Sequence, residues 1–379
     1  MENLKKISIV HFGQKNCMSR EGGVEIVVGE LSKRQAASGN NVTCINRISK
    51  AIGTKLKNEY WNGVKIKYAP TIDKKGLAAV SSSFFASISS ALGAYDIVHI
   101  HAEGPNFFSF IPRLFRKKVI SHVHGIDWMR DKWGGGFGSK FIRQGEKNLV
   151  KYANKVIVLN KPQYDYFKTN YGIEAVIIPN GIDKLENISP SLIKTKYDLE
   201  KDGYILYLSR LVPEKRADLL IDAYKKVQTN KKLVIAGGTS DTDTYVKKLK
   251  DLAKNNKNII FTGHVEDQIL SELYSNAYIY VLPSDIEGMP ISLLEALSYG
   301  NCCLTSDIEE ITDTAGPMLT TFKKGNLNEL VAKLEYLLEN EKVVDGFKGK
   351  SSKYICEKYN WNETNKQIMN LYHEVLNVR

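Results

Sequence analysis

Short apolar runs recur along the chain, separated by stretches in which apolar residues return at helical spacing. The runs are rich in β-branched and aromatic residues and are bounded by glycine, proline or polar residues, as in parallel strands buried on both faces. Their alternation with helices, for example 77–92 and 140–152, predicts doubly wound α/β sheets. The predicted strands cover 5–12, 42–46, 64–69, 97–101, 119–124, 156–159, 176–178, 204–209, 233–236, 259–262, 278–282 and 302–305.

The strand series stops at a polar stretch, 183–202, and then restarts. The sequence therefore predicts two Rossmann-like domains, 1–184 and 185–361, joined by that stretch. A last amphipathic helix follows at 362–378. Its apolar stripe fits packing on either domain, so periodicity alone leaves both arrangements open.

The composition is that of an ordinary soluble protein, with 43% hydrophobic and 25% charged residues. No window approaches the ~18 apolar residues that a membrane-spanning helix needs. The first residues lead directly into a strand instead of a signal peptide. The five cysteines show no metal-binding spacing, which indicates reduced thiols and a cytoplasmic location.

Positive charge is concentrated in the first half. Residues 1–184 hold 28 Lys and Arg against 14 Asp and Glu, whereas the rest of the chain is slightly acidic. This asymmetry favours an anionic partner, nucleic acid or membrane lipid, although a basic surface without a dedicated partner is a fair alternative. Aromatic and basic residues in 81–92 and 107–118 suit peripheral docking on the inner face of the cell membrane, or else helix core beneath a basic face.

The stretch 283–300 reads PSDIEGMPISLLEALSYG and follows the apolar run 278–282. Pro290 suits a first helical turn, so a helix is predicted to start near Gly288 and Met289, at the carboxyl end of a strand. Open α/β sheets bind ligands at that edge, and free N–H groups with the helix dipole favour an anion there.

Two glutamates flank this helix start. Glu287 lies just before the helix and Glu295 about two turns inside it, so both carboxylates can face one crevice and accept hydrogen bonds from paired sugar hydroxyls. The alternative is an ordinary loop residue and an ordinary surface residue. In its full context, EGMPISLLE resembles the signature of retaining GT-B glycosyltransferases of family GT4, and the resemblance extends over nearly the whole chain.

The resemblance implies a GT-B fold, in which two Rossmann-like domains face a central cleft and 362–379 crosses back to the first domain. The first domain is then expected to bind the acceptor and the second the nucleotide-sugar donor. Arg210 and Lys215 match the spacing of the GT4 pair that binds the donor diphosphate. Fixed cations stabilise the charge that the leaving nucleotide gains, whereas two surface cations are the alternative.

No metal cofactor is expected, because those cations and the helix amides can neutralise the diphosphate and GT-B enzymes generally need none for this. The string Asp241-Thr242-Asp243 looks like the DxD metal motif of another glycosyltransferase fold. We interpret it as a helix-capping surface loop.

In the first domain, His124 resembles the family histidine that faces the donor sugar, and Asp127 is a polar candidate beside it. The context HGIDWMRDKWGG is similar to capsule and exopolysaccharide transferases. Gly22 and Gly23 lie in the first strand-to-helix turn, where the resemblance implies an approach to the donor phosphates or the acceptor and a simple tight turn is the alternative.

Further candidates lie at other strand ends. Val265 fits backbone contacts to the nucleobase or a plain turn, and Glu103 and Asn180 fit acceptor-side positions. The predicted catalytic residues are Glu287, His124, Arg210 and Lys215. The predicted donor-binding set is Gly22, Gly23, Ser209, Arg210, Lys215, Val265, Glu287, Gly288, Met289, Pro290 and Glu295.

The resemblance implies retaining transfer of a hexose or deoxyhexose from a UDP-, GDP- or dTDP-linked donor to a growing, lipid-linked capsule or exopolysaccharide chain. A soluble acceptor is the alternative within this class. A basic nucleic-acid-binding protein is the alternative from another class, but the sequence shows no zinc-finger, RRM or helix-turn-helix signature. A dinucleotide oxidoreductase is disfavoured because the first turn is not G-x-G-x-x-G.

Overall fold

The computed structural model of the protein describes residues 6–48, 59–74, 76–126, 136–239 and 242–377. The chain divides into two compact units. Unit 1 comprises Met1–Gly181 together with Trp361–Arg379, and unit 2 comprises Ile182–Asn360. These boundaries lie close to the predicted positions 184 and 361.

Unit 1 is built on a mostly parallel sheet. Its strands are β1 (Ser8–Phe12), β2 (Asn41–Arg47), β3 (Glu59–Trp61), β4 (Val64–Ala69), β5 (Ile97–His101), β6 (Lys118–His122), β7 (Lys155–Val158) and β8 (Val176–Ile177). Among the described residues their order is β3-β4-β2-β1-β5-β6-β7-β8, and β3 pairs antiparallel with β4. The order reverses at β1, which is the topological switch point of a doubly wound sheet.

Helices connect these strands. They are α1 (Gly23–Ala37), α2 (Leu77–Leu92), α3 (Phe110–Leu114), α4 (Phe137–Tyr152) and α5 (Lys161–Tyr171), with a 3-10 turn at Gly104–Phe108. Strand residues such as Val10, Val98 and Val119 are fully buried and pack with Ala86 of α2 in one core cluster. The apolar runs of the sequence thus become strands covered by helices.

Unit 2 is a fully parallel sheet in the part that the structure describes. Its strands are β9 (Tyr204–Leu208), β10 (Lys232–Ala236), β11 (Ile259–Gly263), β12 (Ile279–Leu282), β13 (Cys303–Ser306) and β14 (Leu319–Phe322), in the order β11-β10-β9-β12-β13-β14. Its helices are α6 (Leu192–Tyr197), α7 (Ala217–Tyr224), α8 (Asp243–Ala253), α9 (Asp267–Asn276), α10 (Ile291–Ser298), α11 (Glu309–Ala315), α12 (Leu327–Glu339) and α13 (Glu341–Lys358).

The last helix, α14 (Trp361–Asn377), returns to unit 1. The Tyr372 hydroxyl lies 2.5 Å from Nδ1 of His99 on β5, and Thr364 donates to the carbonyl oxygen of Pro179 (3.0 Å). Ile368 and Val375 of the apolar stripe are buried. Periodicity alone allowed this helix to pack on either domain. The observed contacts show that it packs on unit 1.

One predicted helix starts later than expected. The helix predicted near Gly288 begins at Ile291, with Pro290 just before it in an extended conformation (φ −71°, ψ 114°). In the connection after β9, Pro213–Lys215 forms a 3-10 turn and α7 starts only after Arg216. None of the helices within the described residues has the length and apolar character that crossing a bilayer requires.

Candidate functional site

The topological switch point of unit 2 lies at β9. This strand pairs with β10 on one side and with β12 on the other, so the connections that leave β9 and β12 diverge from adjacent positions. These connections, 209–216 and 283–290, contain the predicted diphosphate-binding cations and the first predicted glutamate. The fold therefore brings the two predicted segments to one edge of the sheet.

Lys215 and Glu287 form a buried ion pair between these segments. Nζ of Lys215 contacts Oε1 of Glu287, and the two side chains are 9% and 6% exposed. The Lys215 ammonium also donates to the carbonyl oxygen of Ile286 (3.4 Å), and the Ser284 hydroxyl donates to Oε1 of Glu287 (2.8 Å). These added hydrogen bonds offset part of the hydration that a buried charge pair loses.

A second ion pair joins the same two segments. Nη1 of Arg216 lies 3.0 Å from Oδ2 of Asp285, and the Asp285 N–H donates to the carbonyl oxygen of Glu214 (2.9 Å). Arg216 has a φ of +51°, in the left-handed region that is unfavourable for a residue with a Cβ. Such a conformation persists only where contacts hold it, so the pairing with Asp285 keeps the neighbouring Lys215 in place.

Glu295 lies in the second turn of α10 and is 6% exposed. Its Oε2 is 3.2 Å from the hydroxyl of Tyr274 on α9, and that hydroxyl is equally far from the carbonyl oxygen of Ser292. A carboxylate has about four lone-pair sites, so Glu295 can accept hydrogen bonds from ligand hydroxyls while Tyr274 orients it.

Tyr280 hydrogen-bonds both to the end of β9 and to α10. Its hydroxyl donates to the carbonyl oxygen of Leu208 (3.1 Å) and lies 3.0 Å from the hydroxyl of Ser292. Burial raises the pKa of both Tyr280 and Tyr207 well above the usual tyrosine value, so both hydroxyls are neutral at physiological pH. The Tyr207 hydroxyl donates to the carbonyl oxygen of Arg210 (3.4 Å), so both tyrosines act as neutral donors to backbone at this edge of the sheet.

Gly237 fixes how closely the backbone can pack behind this site. It follows β10 with a φ of +149°, and a Cβ there would lie 1.9 Å from the carbonyl oxygen of Ser209. Its neighbour Gly238 has room, because the nearest atom to a Cβ would be Cβ of His264 at 3.5 Å. We expect Gly237→Ala to lower the melting temperature by several degrees, whereas Gly238→Ala leaves it unchanged. Equal melting temperatures of the two variants in a thermal-shift measurement would contradict this expectation.

Unit 1 contains a cluster of five histidines at the carboxyl ends of its central strands. His11 is in register with His99, and His101 with His122, while His124 follows β6 by two residues. Four of them are buried and His124 is half-buried. The predicted sugar-facing residue His124 is therefore the most exposed member of a connected group.

The other predicted unit 1 residues lie on separate elements. Glu103 is buried just after β5, Asn180 is buried beyond β8, and Gly22 and Gly23 mark the start of α1. A Cβ on Gly22 would lie 2.4 Å from Oε2 of Glu25, which supports a close approach of side chain to backbone in this turn. Asp127 lies outside the described residues.

In unit 2, Ser209 and Arg210 follow β9 and are half-buried, as is Val265 beyond β11. The Thr242 hydroxyl donates to the carbonyl oxygen of Leu211 (2.7 Å), and α8 lacks a side-chain cap at its start, so the predicted capping role is wrong for Thr242. Asp243 is the first residue of α8, and Asp241 lies outside the described residues.

Sequence reasoning missed several residues that shape these sites. In unit 2, Ser284 and Tyr274 hydrogen-bond to the two predicted glutamates, and Arg216 and Asp285 pair with each other between the two predicted segments. In unit 1 they are His11 and His101, which hydrogen-bond toward His124. A signal for the histidines was present: an H-x-H pattern ends two consecutive predicted strands, and alternate residues of a strand share one face.

Two protein-family models match this chain. Residues 21–184 match the family model described as Glycosyltransferase Family 4, and residues 192–354 match that of Glycosyl transferases group 1. These matches, together with the two Rossmann-like units, support a glycosyltransferase of the GT-B type. Within that class the chain is GT4-like, since the two models together span most of it.

Individual proteins are similar at lower identity. An uncharacterized glycosyltransferase of Methanocaldococcus jannaschii is 24% identical over 84% of this chain and 87% of its own. The N,N'-diacetylbacillosaminyl-diphospho-undecaprenol alpha-1,3-N-acetylgalactosaminyltransferase of Campylobacter jejuni is 26% identical over 55% of this chain and 61% of its own. The Anabaena protein HepE, crystallised with UDP and glucose, superposes with a TM-score of 0.81 at 17% identity, covering 97% of this chain and all of that chain.

Proposed function

We propose that the protein is a retaining glycosyltransferase that moves a hexose or deoxyhexose from a nucleotide-diphosphate sugar to a hydroxyl of a lipid-linked oligosaccharide in capsule or exopolysaccharide synthesis. The observation that carries this proposal is the buried Lys215–Glu287 pair at the switch point of unit 2, directly before α10. A cation and a carboxylate held together there suit a ligand that carries both phosphates and hydroxyls.

The residues of unit 2 take the following roles in the proposal. Lys215 and Arg210 bind the diphosphate, and the backbone at Gly288 and Met289 contributes N–H donors. As the glycosidic bond breaks, these fixed donors stabilise the charge that develops on the departing nucleotide. No divalent metal is required in this scheme, because the protein itself supplies the positive charge.

The carboxylates orient the rest of the donor. Glu287 accepts hydrogen bonds from hydroxyls of the transferred sugar, and Glu295, which Tyr274 orients, accepts them from the ribose. Ser209, Pro290 and Val265 complete the donor site around the phosphates and the base. In unit 1, His124 contacts a hydroxyl of the bound saccharide, with Asp127, Glu103 and Asn180 on the acceptor side and Gly22 and Gly23 approaching phosphate.

Retention of configuration follows if the acceptor hydroxyl attacks on the face that the nucleotide leaves. A phosphate oxygen of the leaving nucleotide takes the acceptor proton in this scheme, so no separate general base is needed. The names of the relatives support the substrate classes: one acts on a diphospho-undecaprenol-linked saccharide, and another was crystallised with UDP and glucose. A soluble saccharide acceptor remains the second candidate.

A panel of UDP-, GDP- and dTDP-sugars tests the donor site by calorimetry in the presence of EDTA. We expect one nucleotide family to bind the wild type and Glu295→Ala to weaken that binding by about 10-fold to 100-fold, because a hydrogen bond to a charged group contributes about 1.5–3 kcal/mol. Glu309→Ala, at the exposed start of α11, is the matched control and should bind like the wild type.

Two results would contradict the donor-site proposal. One is the absence of binding to every nucleotide sugar, and the other is binding that Glu295→Ala leaves unchanged. Binding that appears only after a divalent cation replaces EDTA would overturn the metal-free part alone. Product of inverted anomeric configuration would overturn the retaining mechanism while leaving the donor site intact.

We also place unit 1 on an anionic membrane surface through α2 and α3. Phe107 and Phe108 pack against Phe141, whereas Leu114 and Phe115 are 75% and 54% exposed next to Arg113, Arg116, Lys117 and Lys118. Exposed apolar side chains beside cations suit insertion between lipid head groups. No transmembrane segment is needed for such docking.

Vesicle flotation tests this placement. With vesicles rich in phosphatidylglycerol at low salt, we expect the wild type to float and Phe115→Glu to lose most of that binding. Tyr336→Glu, which changes an exposed aromatic residue of unit 2, should float like the wild type. If the two variants float equally, or if the wild type does not float, membrane docking through this surface is excluded. A soluble saccharide acceptor then becomes the favoured hypothesis.

A further inference from the structure

Three of the clustered histidines form a line of hydrogen bonds. Nδ1 of His11 lies 3.0 Å from Nε2 of His101, and Nδ1 of His101 lies 3.0 Å from Nε2 of His124. In both pairs the ring centroids are 5.3 Å apart and the ring planes differ by 29° or less. That centroid separation is the N···N distance plus two ring radii, so the paired nitrogens point directly at each other.

This geometry is that of N–H···N hydrogen bonds and does not suit a metal ion. The ring nitrogens of His101, His122 and His124 do fall within 4.8 Å of one another, as three metal ligands would. However, a zinc ion lies about 2.0–2.1 Å from each imidazole nitrogen. Such an ion lies to the side of the line between two ligand nitrogens, with both lone pairs directed at it, whereas these nitrogens point directly at each other as in an N–H···N hydrogen bond.

The line continues beyond His11 to α1 and α14. Nε2 of His11 lies 2.7 Å from Oε1 of Gln35, and Nε2 of Gln35 points to the hydroxyl of Tyr372 at 3.5 Å. The Tyr372 hydroxyl lies 2.5 Å from Nδ1 of His99. Because the hydroxyl oxygen accepts from Gln35, Tyr372 holds the amide with Nε2 toward itself and Oε1 toward His11.

These partners give the hydrogen bonds one direction. Oε1 of Gln35 can only accept a hydrogen bond, so His11 is protonated at Nε2 and unprotonated at Nδ1. His101 must then donate from Nε2 and accept at Nδ1, and His124 must donate from Nε2. When the three rings are neutral, each hydrogen bond therefore fixes the tautomer of the next histidine.

Burial keeps the inner rings neutral. It lowers the pKa of His11 to about 4 and lowers the pKa of His99, His101 and His122 well below the usual histidine value. His99 and His122 also cover the line, stacking on His101 and His124 with centroids 4.3 Å apart.

We infer that Gln35 and Tyr372 act as positioning residues that set the tautomer of His124 through His11 and His101. His124 is held with Nε2 protonated, so its Nδ1 presents a lone pair and any group that meets Nδ1 must donate a hydrogen bond. A sugar hydroxyl can do so, whereas an ether oxygen or a carbonyl cannot. The last step rests on the proposed role of His124, but the tautomer itself does not.

The test reads the tautomers directly. Long-range ¹H–¹⁵N spectra of the full chain, labelled with ¹⁵N in its histidine side chains, separate protonated from bare ring nitrogens. The signals of His124 are assigned by their loss in His124→Gln. We expect the wild type without ligand to show His124 protonated at Nε2 and bare at Nδ1.

Gln35→Met removes the acceptor at the far end of the line. A buried N–H without a partner is rarer in proteins than an unsatisfied acceptor, so His11 is expected to turn to the other tautomer and reverse the line. Nδ1 of His124, three hydrogen bonds away, should then move toward the protonated range. Tyr372→Phe, which removes one oxygen and frees the Gln35 amide to rotate, should give a smaller change in the same direction and serves if Gln35→Met does not fold.

Two variants control for packing. Ser32→Ala alters another buried residue of α1, whose hydroxyl donates to the carbonyl oxygen of Gly29 (3.3 Å). His122→Phe keeps a flat ring against His124 but lies outside the line. Neither should change the His124 tautomer. The inference is overturned if His124 is protonated at Nδ1 in the wild type, or if its signals are the same in Gln35→Met and Tyr372→Phe as in the wild type.

The spectra are recorded without any nucleotide sugar. A negative result there leaves donor binding through Lys215 and Glu295 untouched, and a failure of donor binding leaves the spectra unchanged. The inference and the proposed function can therefore fail separately.

Discussion

Lys215→Ala is expected to lower kcat/KM for glycosyl transfer by about 10²-fold to 10³-fold, the usual loss when one fixed donor to a developing charge is removed. In the structure the ammonium is 9% exposed and lies against Glu287 at the switch point of unit 2. The substitution removes the cation proposed to meet the diphosphate and leaves a carboxylate in its place. Initial rates with the donor identified by the nucleotide panel measure this effect.

The same substitution is expected to destabilise unit 2. Removing one partner of a buried ion pair leaves the other charge without compensation, at a typical cost of about 3–5 kcal/mol. Adding Glu287→Gln to Lys215→Ala removes that charge and should restore much of the stability without restoring the rate. This double variant separates the loss of catalysis from the loss of folding.

Lys194→Ala provides the matched control. Nζ of Lys194 lies 2.7 Å from Oε1 of Glu200, and the two side chains are 60% and 59% exposed. Solvent-exposed pairs of this kind contribute little, so both stability and rate should stay close to those of the wild type. Similar losses in Lys194→Ala and Lys215→Ala would show that the effect is not specific to the switch point.

The sequence predicted the parallel sheets well because their strands are buried on both faces and appear as continuous apolar runs. The bounds of β4, β5 and α2 are those predicted. The segments 209–216 and 283–290 could be placed at one sheet edge because the order of parallel strands determines which carboxyl ends are neighbours. What the sequence predicted best were features that depend on burial and topology alone.

Features that depend on a single backbone angle or a single contact were missed. Pro290 fits a first helical turn by its fixed φ, yet its ψ of 114° keeps it outside α10. The left-handed φ of Arg216 depends on its pairing with Asp285, which is distant in sequence. Neither feature leaves a periodic pattern that could have been recognised beforehand.

The histidine cluster was missed for another reason. The sequence indicates His124 through its local context alone, and a local context treats each residue separately. The pairing of β5 with β6 places His101 beside His122, and that of β1 with β5 places His11 beside His99. Strand order and H-x-H spacing together would have predicted the cluster, whereas the directed hydrogen bonds depend on Gln35 and Tyr372 from two separate helices.

Acidification between pH 6.5 and pH 4.5 is expected to unfold unit 1 before unit 2. In the unfolded chain the histidines titrate near 6.5, whereas burial holds the pKa of His11 at about 4 and those of His99, His101 and His122 well below normal. Below pH 6.5 the unfolded state therefore binds more protons, and the free energy of unfolding falls as the pH falls. His11 alone accounts for about 2 kcal/mol at pH 5, and the loss levels off near its folded pKa.

Tryptophan fluorescence can follow unit 1 separately, since all four tryptophans of the sequence lie within 1–181 or 361–379. Unit 2 contains a single histidine, the exposed His264. Urea titrations at pH 7.5, 6 and 5 should show the fluorescence transition moving to lower urea as the pH falls. His122→Phe should reduce that movement, because it removes one imidazole that is held neutral while keeping a flat ring in the stack, and His264→Ala should leave it unchanged. A midpoint that stays constant from pH 7.5 to pH 5 would show that the buried histidines take up protons without unfolding unit 1.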